Sequence, residues 1–134
     1  MKTKYLFLIL FIIGGCEDQA ITDVVQFEKE LLFRANNTYY SNDKQLKFTI
    51  REVNDSRCPR DIICIWQGEA VIKIVSELPG LDSVKLSTYD NPLDTIGNFT
   101  FELFDVSPYP ETSKTIGQKD YKIRMRIHDI SKSI

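Results

Sequence analysis

The chain reads as an all-β protein, an antiparallel immunoglobulin-like β-sandwich of about seven strands, with a small β-barrel as the alternative. Three observations predict this. Apolar and polar residues alternate with period two in run after run, the pattern of half-buried strands. Clusters of Asn, Asp, Gly and Pro punctuate those runs at near-regular spacing. No unbroken 3.6-residue periodicity follows Phe33.

The runs follow in order. Val24, Phe27 and Leu31 lie near helical spacing, but Leu31 to Phe33 also suits an entering strand, which we favour. From Thr38 the pattern is β. Leu46, Phe48 and Ile50 alternate with Lys47 and Thr49, and the phase slips before Val53, which predicts a bulge. Cys64, Trp66, Gly68, Ala70, Ile72 and Ile74 share one parity, so in a continuous strand Trp66 and the Cys64 sulfur face the same way as Ala70 and Ile72. Val84, Leu86 and Thr88 form the next run. Phe99, Phe101 and Leu103 follow, with a second slip before Val106. Tyr121, Ile123, Met125 and Ile127 make the last strand. No repeat, low-complexity tract or second domain interrupts the series.

The amino terminus has a different character. Lys2 and Lys4 precede an apolar run from Tyr5 to Ile13, and Gly14-Gly15 leads into Cys16. That is the layout of a secretory signal. The run is shorter than the roughly 20 apolar residues that span a bilayer. The small-small-Cys ending resembles a bacterial lipoprotein signal. By that resemblance residues 1–15 are removed and Cys16 carries the lipid that ties the protein to a membrane, with the outer membrane as the expected one. Residues 16–28 then form a lipidated start and tether, and residues 29–134 one domain. Glu17-Asp18 resembles a surface-export signal of some lipoproteins, or is an ordinary solvated tether. Loss of Lys2 and Lys4 moves the formal charge from −2 to about −4. A mildly acidic domain exerts no general pull on nucleic acid, so no nucleic-acid partner is expected.

Beyond Cys16 two cysteines remain, Cys58 and Cys64. Exported proteins live where disulfides persist, and an even pair close in sequence predicts a Cys58–Cys64 bridge. Metal and redox readings of the pair are weaker. Zinc sites use tighter Cys pairs and need a second pair, and a thioredoxin-type site separates its cysteines by two residues. No cofactor or metal is expected.

The bridge encloses the most distinctive motif, Asp55-Ser56-Arg57-Cys58-Pro59 followed by Cys64-Ile65-Trp66-Gln67-Gly68-Glu69-Ala70. It resembles a group of small bacterial lipoproteins with a D-S-R-C-P … C-x-W-x-G-x-A signature and a P-Y-P turn before the final strand, here Pro108-Tyr109-Pro110. The resemblance implies an envelope location and a sandwich fold, and it carries no activity. Read from the residues, the loop is a rigid corner. Pro59 fixes one torsion. Arg57 lies between Asp55 and Asp61 and can pair with either. Trp66 is expected to pack on the sulfurs and add to the local core, and Gly68 to mark a bulge or close backbone approach. Asp55, Arg57, Pro59, Asp61, Trp66 and Gly68 are therefore the candidate binding or structural residues.

The last strand offers a weaker candidate. Lys122, Arg124 and Arg126 share its outer face, as an acidic-ligand site, a solvated face or edge charges that discourage aggregation. His128 is the sole histidine. A Ser-His-Asp triad or Cys-His pair would need it, yet no G-x-S-x-G elbow, phosphate loop or dinucleotide fingerprint accompanies it. No catalytic residue is expected. The functional expectation is a non-catalytic binding module for a protein or envelope component, with an accessory subunit of an envelope assembly as the alternative and a small enzyme third.

Overall fold

The computed structural model describes residues 23–80 and 82–133. Cys16 and the signal segment lie outside the described residues. Among the described residues nine strands form two separate sheets. In chain order they are β1 (Val24–Val25), β2 (Glu30–Arg34), β3 (Thr38–Ser41), β4 (Lys47–Asp55), β5 (Ala70–Ser76), β6 (Ser83–Ser87), β7 (Leu93–Ile96), β8 (Phe99–Ser107) and β9 (Lys122–Asp129). The first sheet has the order β1-β3-β4-β5-β6 and the second β2-β9-β8-β7. This is the expected β-sandwich. The sheets do not close into a barrel. Two meanders, β3-β4-β5-β6 and β7-β8-β9, make up most of the sandwich, and the early strands are divided between the sheets, β1 beside β3 and β2 beside β9. All neighbours are antiparallel except β1 and β3.

Period-two patterning builds the core. Ile123, Met125 and Ile127 of β9 are buried, with Lys122 and Arg124 outside. They meet Phe101 and Leu103 of β8 and the inner residues of the other sheet, Phe48, Ile50, Ile72 and Ile74. Four aromatic rings join the layers. Phe33 meets Tyr39 edge-on at 4.8 Å, and Phe48 meets Phe101 edge-on at 5.2 Å, the T-shaped arrangement that ring quadrupoles favour. The Tyr39 hydroxyl accepts a 2.7 Å hydrogen bond from the Arg34 N–H, so its polar end is satisfied inside the core.

Both expected phase slips are β-bulges. The β4–β5 register shifts between Ile50 and Glu52, and the β8–β9 register between Leu103 and Asp105. The first bulge has a consequence for chemistry. Phe48 and Ile50 face inward before it, and Val53 after it. The change of parity also turns Asp55, two residues past Val53, toward the inside of the sandwich end. A carboxylate placed there needs a partner.

Two expectations are corrected. Val24 to Phe27, expected in the tether, pack with the domain. Val24–Val25 pairs with Tyr40 and Ser41, and Phe27 stacks on Phe99 at 5.5 Å. A two-residue strand is too short to carry a periodic signal. The run that shares one parity from Cys64 is not one continuous strand, since β5 begins at Ala70. Gly68 has φ +66°, a left-handed conformation that breaks the extended run. Residues 64–69 therefore lie beyond the end of the sheet.

Candidate functional site: the cysteine loop

The segment between β4 and β5 continues their hairpin past the last regular pair. Ser56 N–H donates to the Glu69 carbonyl at 2.8 Å and Cys58 N–H to the Gln67 carbonyl at 2.7 Å. Two approaching chains here come very close. A Cβ on Gly68 would lie 1.9 Å from the Ser56 carbonyl oxygen, so only glycine fits. That is the close approach expected of Gly68.

Beneath this extension sits the pair that the bulge demanded. Arg57 grips Asp55 through two parallel bonds, Nε to Oδ1 at 2.8 Å and Nη2 to Oδ2 at 2.7 Å. The side chains are only 6% and 4% exposed. Arg57 also donates to the carbonyls of Val106 at 2.7 Å and Pro108 at 3.2 Å. The Tyr121 hydroxyl donates to Asp55 Oδ2 at 3.3 Å. Burial opposes the Arg57 charge, but the Asp55 hydrogen bonds and charge more than offset it, and its pKa is raised. The Tyr121 hydroxyl is pushed up, first by burial and then by the Asp55 charge. Of the two carboxylates open to Arg57, then, the one turned inward takes it. This pair ties the loop base to the end of β8 in the opposite sheet.

Asp61 has a different partner. It accepts from the Thr112 N–H at 3.0 Å and from the Thr112 hydroxyl, and these bonds hold its pKa down. Arg60 N–H donates to the Pro110 carbonyl at 3.0 Å. Both guanidinium groups lie near the Tyr109 ring, Arg57 at 4.5 Å and Arg60 at 5.5 Å from its centre, as cation–π contacts. The segment around Pro108-Tyr109-Pro110 is thus a buttress for one side of the loop. Pro59 begins the turn at the loop's end, its carbonyl accepting from Ile62 N–H at 3.3 Å.

The Cys58–Cys64 disulfide forms, with Cα atoms 5.9 Å apart. Trp66 does not pack as expected. It is 82% exposed, and Ile63 and Ile65 are almost wholly in solvent, with Ile62 about half so. The physical reason is the early end of β5: past Gly68 there is no facing sheet to cover the indole. The outcome is an apolar tip, Ile62-Ile63-Cys64-Ile65-Trp66, on a base fixed by a disulfide, a buried ion pair and an Asp61 clamp. Behind the tip runs a groove of about 460 Å3 between Trp66, Gly68, Tyr89 and Asp90. It continues into a second hollow of about 320 Å3 past Arg57, Phe104 and Tyr109.

Sequence reading missed the three isoleucines of the tip. A signal existed, since apolar residues crowd a segment bounded by Pro59 and Gly68. It also missed Thr112, Tyr109 and Tyr121, whose roles depend on folding the end of β8 against the loop. Gln118 was missed as well. Its amide bonds both backbone groups of Val53, at 2.8 and 2.7 Å, and joins the segment before β9 to β4.

The other candidate is not an open cationic stripe. Arg126 pairs with Glu30 at 3.1 Å and Glu102 at 3.5 Å, and Arg124 reaches Glu30 at 4.0 Å. Lys122 is exposed at the start of the strand. β9 lies between β2 and β8, so these residues are not edge charges. His128 is held between Glu28 at 2.6 Å on Nδ1 and Glu102 at 3.1 Å on Nε2. The Glu102 bond foremost, with Glu28, raises its pKa. Among the described residues no group of three His, Cys, Asp or Glu side chains is placed to hold a metal ion.

No protein-family model, no curated protein and no solved structure matches this chain.

Proposed function

We propose that this is an exported bacterial envelope protein, lipid-anchored through Cys16, whose sandwich is a non-catalytic binding module. One observation carries the binding half of the reading: a disulfide-closed loop, clamped at its base, that holds three isoleucines and the only tryptophan in solvent. Rigid scaffolds place binding residues on such loops. Large apolar side chains grouped at the surface mark interaction sites, whereas single ones do not. The carboxylates on both ring nitrogens of His128 favour a structural role for it over a catalytic one. The leader and the small-small-Cys ending support export and anchoring.

Two measurements test this. Metabolic labelling with a fatty-acid analogue reports lipidation. Label lost in Cys16→Ser supports anchoring, and equal label in both argues against it. Crosslinking of the tagged full chain in intact cells, followed by affinity recovery, reports binding. The reading predicts one reproducible component that Ile63→Asp fails to recover. Equal recovery by the wild type and Ile63→Asp contradicts it.

A further inference from the structure

Resting on that reading, we propose that the tip Ile62-Ile63-Cys64-Ile65-Trp66 docks into an apolar cleft of a partner protein whose rim is cationic. The alternative cover for such a tip is the bilayer itself, and two features weigh against it.

The first is charge. The exposed charged residues around the tip are Asp61 and Asp90, against Arg60, with half-buried Glu69 behind Trp66. Arg57, the other nearby cation, is buried and consumed by Asp55. An anionic lipid surface attracts loops rimmed by Lys and Arg. An acidic rim is repelled there and complements a basic protein surface.

The second is reach. The described chain begins at Asp23, whose carbonyl accepts from Tyr40 N–H, and Tyr40 faces Lys47 at the start of β4. The cysteine loop leaves the other end of β4, after Asp55. The nine residues of that strand rise by about 25 Å at roughly 3.3 Å each. The hairpin extension through Cys58 adds about 10 Å more. Between Cys16 and Asp23 there are few residues, with a span of at most about 25 Å when fully extended. The tether and the tip thus lie at opposite ends of β4, and a domain standing upright on its tether points the tip away from that membrane. In that pose the tip is available to a partner away from the anchoring membrane.

The chemistry of the tip fits a protein cleft. Apolar anchors seated in a desolvated pocket dominate protein interfaces, with tryptophan among the most frequent. The disulfide and the Asp55–Arg57 pair remove the ordering cost that a free loop of this kind would incur on binding. The acidic rim would speed association at low salt.

Photocrosslinking in intact cells tests the inference. A benzophenone amino acid replaces Ile63 in one strain and Lys44, in the turn at the opposite end of the first sheet, in another. Adducts are mapped by mass spectrometry. The expected result is an adduct from position 63 on apolar residues of one partner protein, beyond anything seen from position 44. Ile63→Asp then lowers the affinity of the purified full-length pair by roughly 30-fold or more, the effect of losing one central anchor. Its unfolding midpoint stays that of the wild type, since Ile63 packs on nothing, and affinity falls as salt rises.

Phospholipid adducts from position 63 at or above the level from position 44 would overturn the inference in favour of the bilayer. Adducts on peptides of this same chain would overturn it in favour of self-association or cover by its own amino terminus. No adduct above background would show an uncovered tip. In the first of these cases the reading of the loop as a binding device survives. It falls with the inference only if the tip contacts nothing and recovery is indifferent to Ile63→Asp.

Discussion

The cysteine loop and the outer face of β9 both draw attention by carrying residues at odds with their surroundings. Their internal accounting differs. On β9 each prominent cation except Lys122 has a carboxylate in reach, Glu30 or Glu102, and His128 has two. Most of the charge on that surface is answered from within it, with Arg126 Nε left buried without a partner. In the loop Asp55, Arg57 and Asp61 have their partners, but the apolar tip has none. Exposed charge is informative only after its partners are counted. Apolar side chains held out by a rigid base are informative at once, because water offers them no favourable partner.

The sharpest way to break this contrast is at the base. Arg57→Ala leaves the Asp55 carboxylate buried without its cation, and breaking such a pair costs about 3–5 kcal/mol. Chemical denaturation measures this, and a loss below about 1 kcal/mol would mean the pair behaves as a surface contact. Arg57→Lys should recover little, since lysine cannot reproduce the two-bond grip. Gly68→Ala comes next. The positive φ alone costs about 1–3 kcal/mol, and the Cβ would press on the Ser56 carbonyl. The expected loss is about 3 kcal/mol, with the hairpin extension opening to faster amide exchange.

Removing the disulfide with Cys58→Ser and Cys64→Ser has a smaller expected effect. Closing so short a loop contributes about 2 kcal/mol in the chain-entropy account. The domain should still fold, and proteolysis should shift to residues 59–63. A chain that fails to fold without the bridge would show that it staples the whole sandwich.

The β9 face should respond least. Arg126→Gln removes pairs that are a third exposed, and exposed pairs contribute about 0–1 kcal/mol. His128 adds a pH signature. Its pKa is raised in the folded protein, first through Glu102 and then Glu28. The folded state therefore binds the proton more tightly than the unfolded chain. That stabilisation is complete below the ordinary histidine pKa of about 6.5, and it fades as pH rises through the raised value. The stability gap between wild type and His128→Asn should be widest near pH 6 and narrow toward alkaline pH. A gap that widens with pH contradicts the assignment.

These two regions also show what the residues alone reveal. Alternation in Ile123, Met125 and Ile127, and the slips before Val53 and Val106, identify strands and bulges directly, because both are local consequences of backbone period. The Cys58–Cys64 bridge is legible as an even, closely spaced pair beyond Cys16. The choice of Asp55 over Asp61 does not, since both lie within reach of Arg57 in the sequence. It depends on which carboxylate the bulge turns inward. Trp66 was misplaced because its parity matches Ile72, and one left-handed glycine cancels that parity. The carboxylates that neutralise Arg124 and Arg126 come from β2 and β8, so only strand order reveals them.

Trp66 is also the most direct reporter of the central claim, since it is the sole tryptophan. Its fluorescence and its quenching by acrylamide can be compared in folded and denatured protein. The account predicts a folded-state emission maximum and quenching constant close to those of the unfolded chain. A blue-shifted emission, with quenching blocked until the domain unfolds, would place the indole in the core and contradict it.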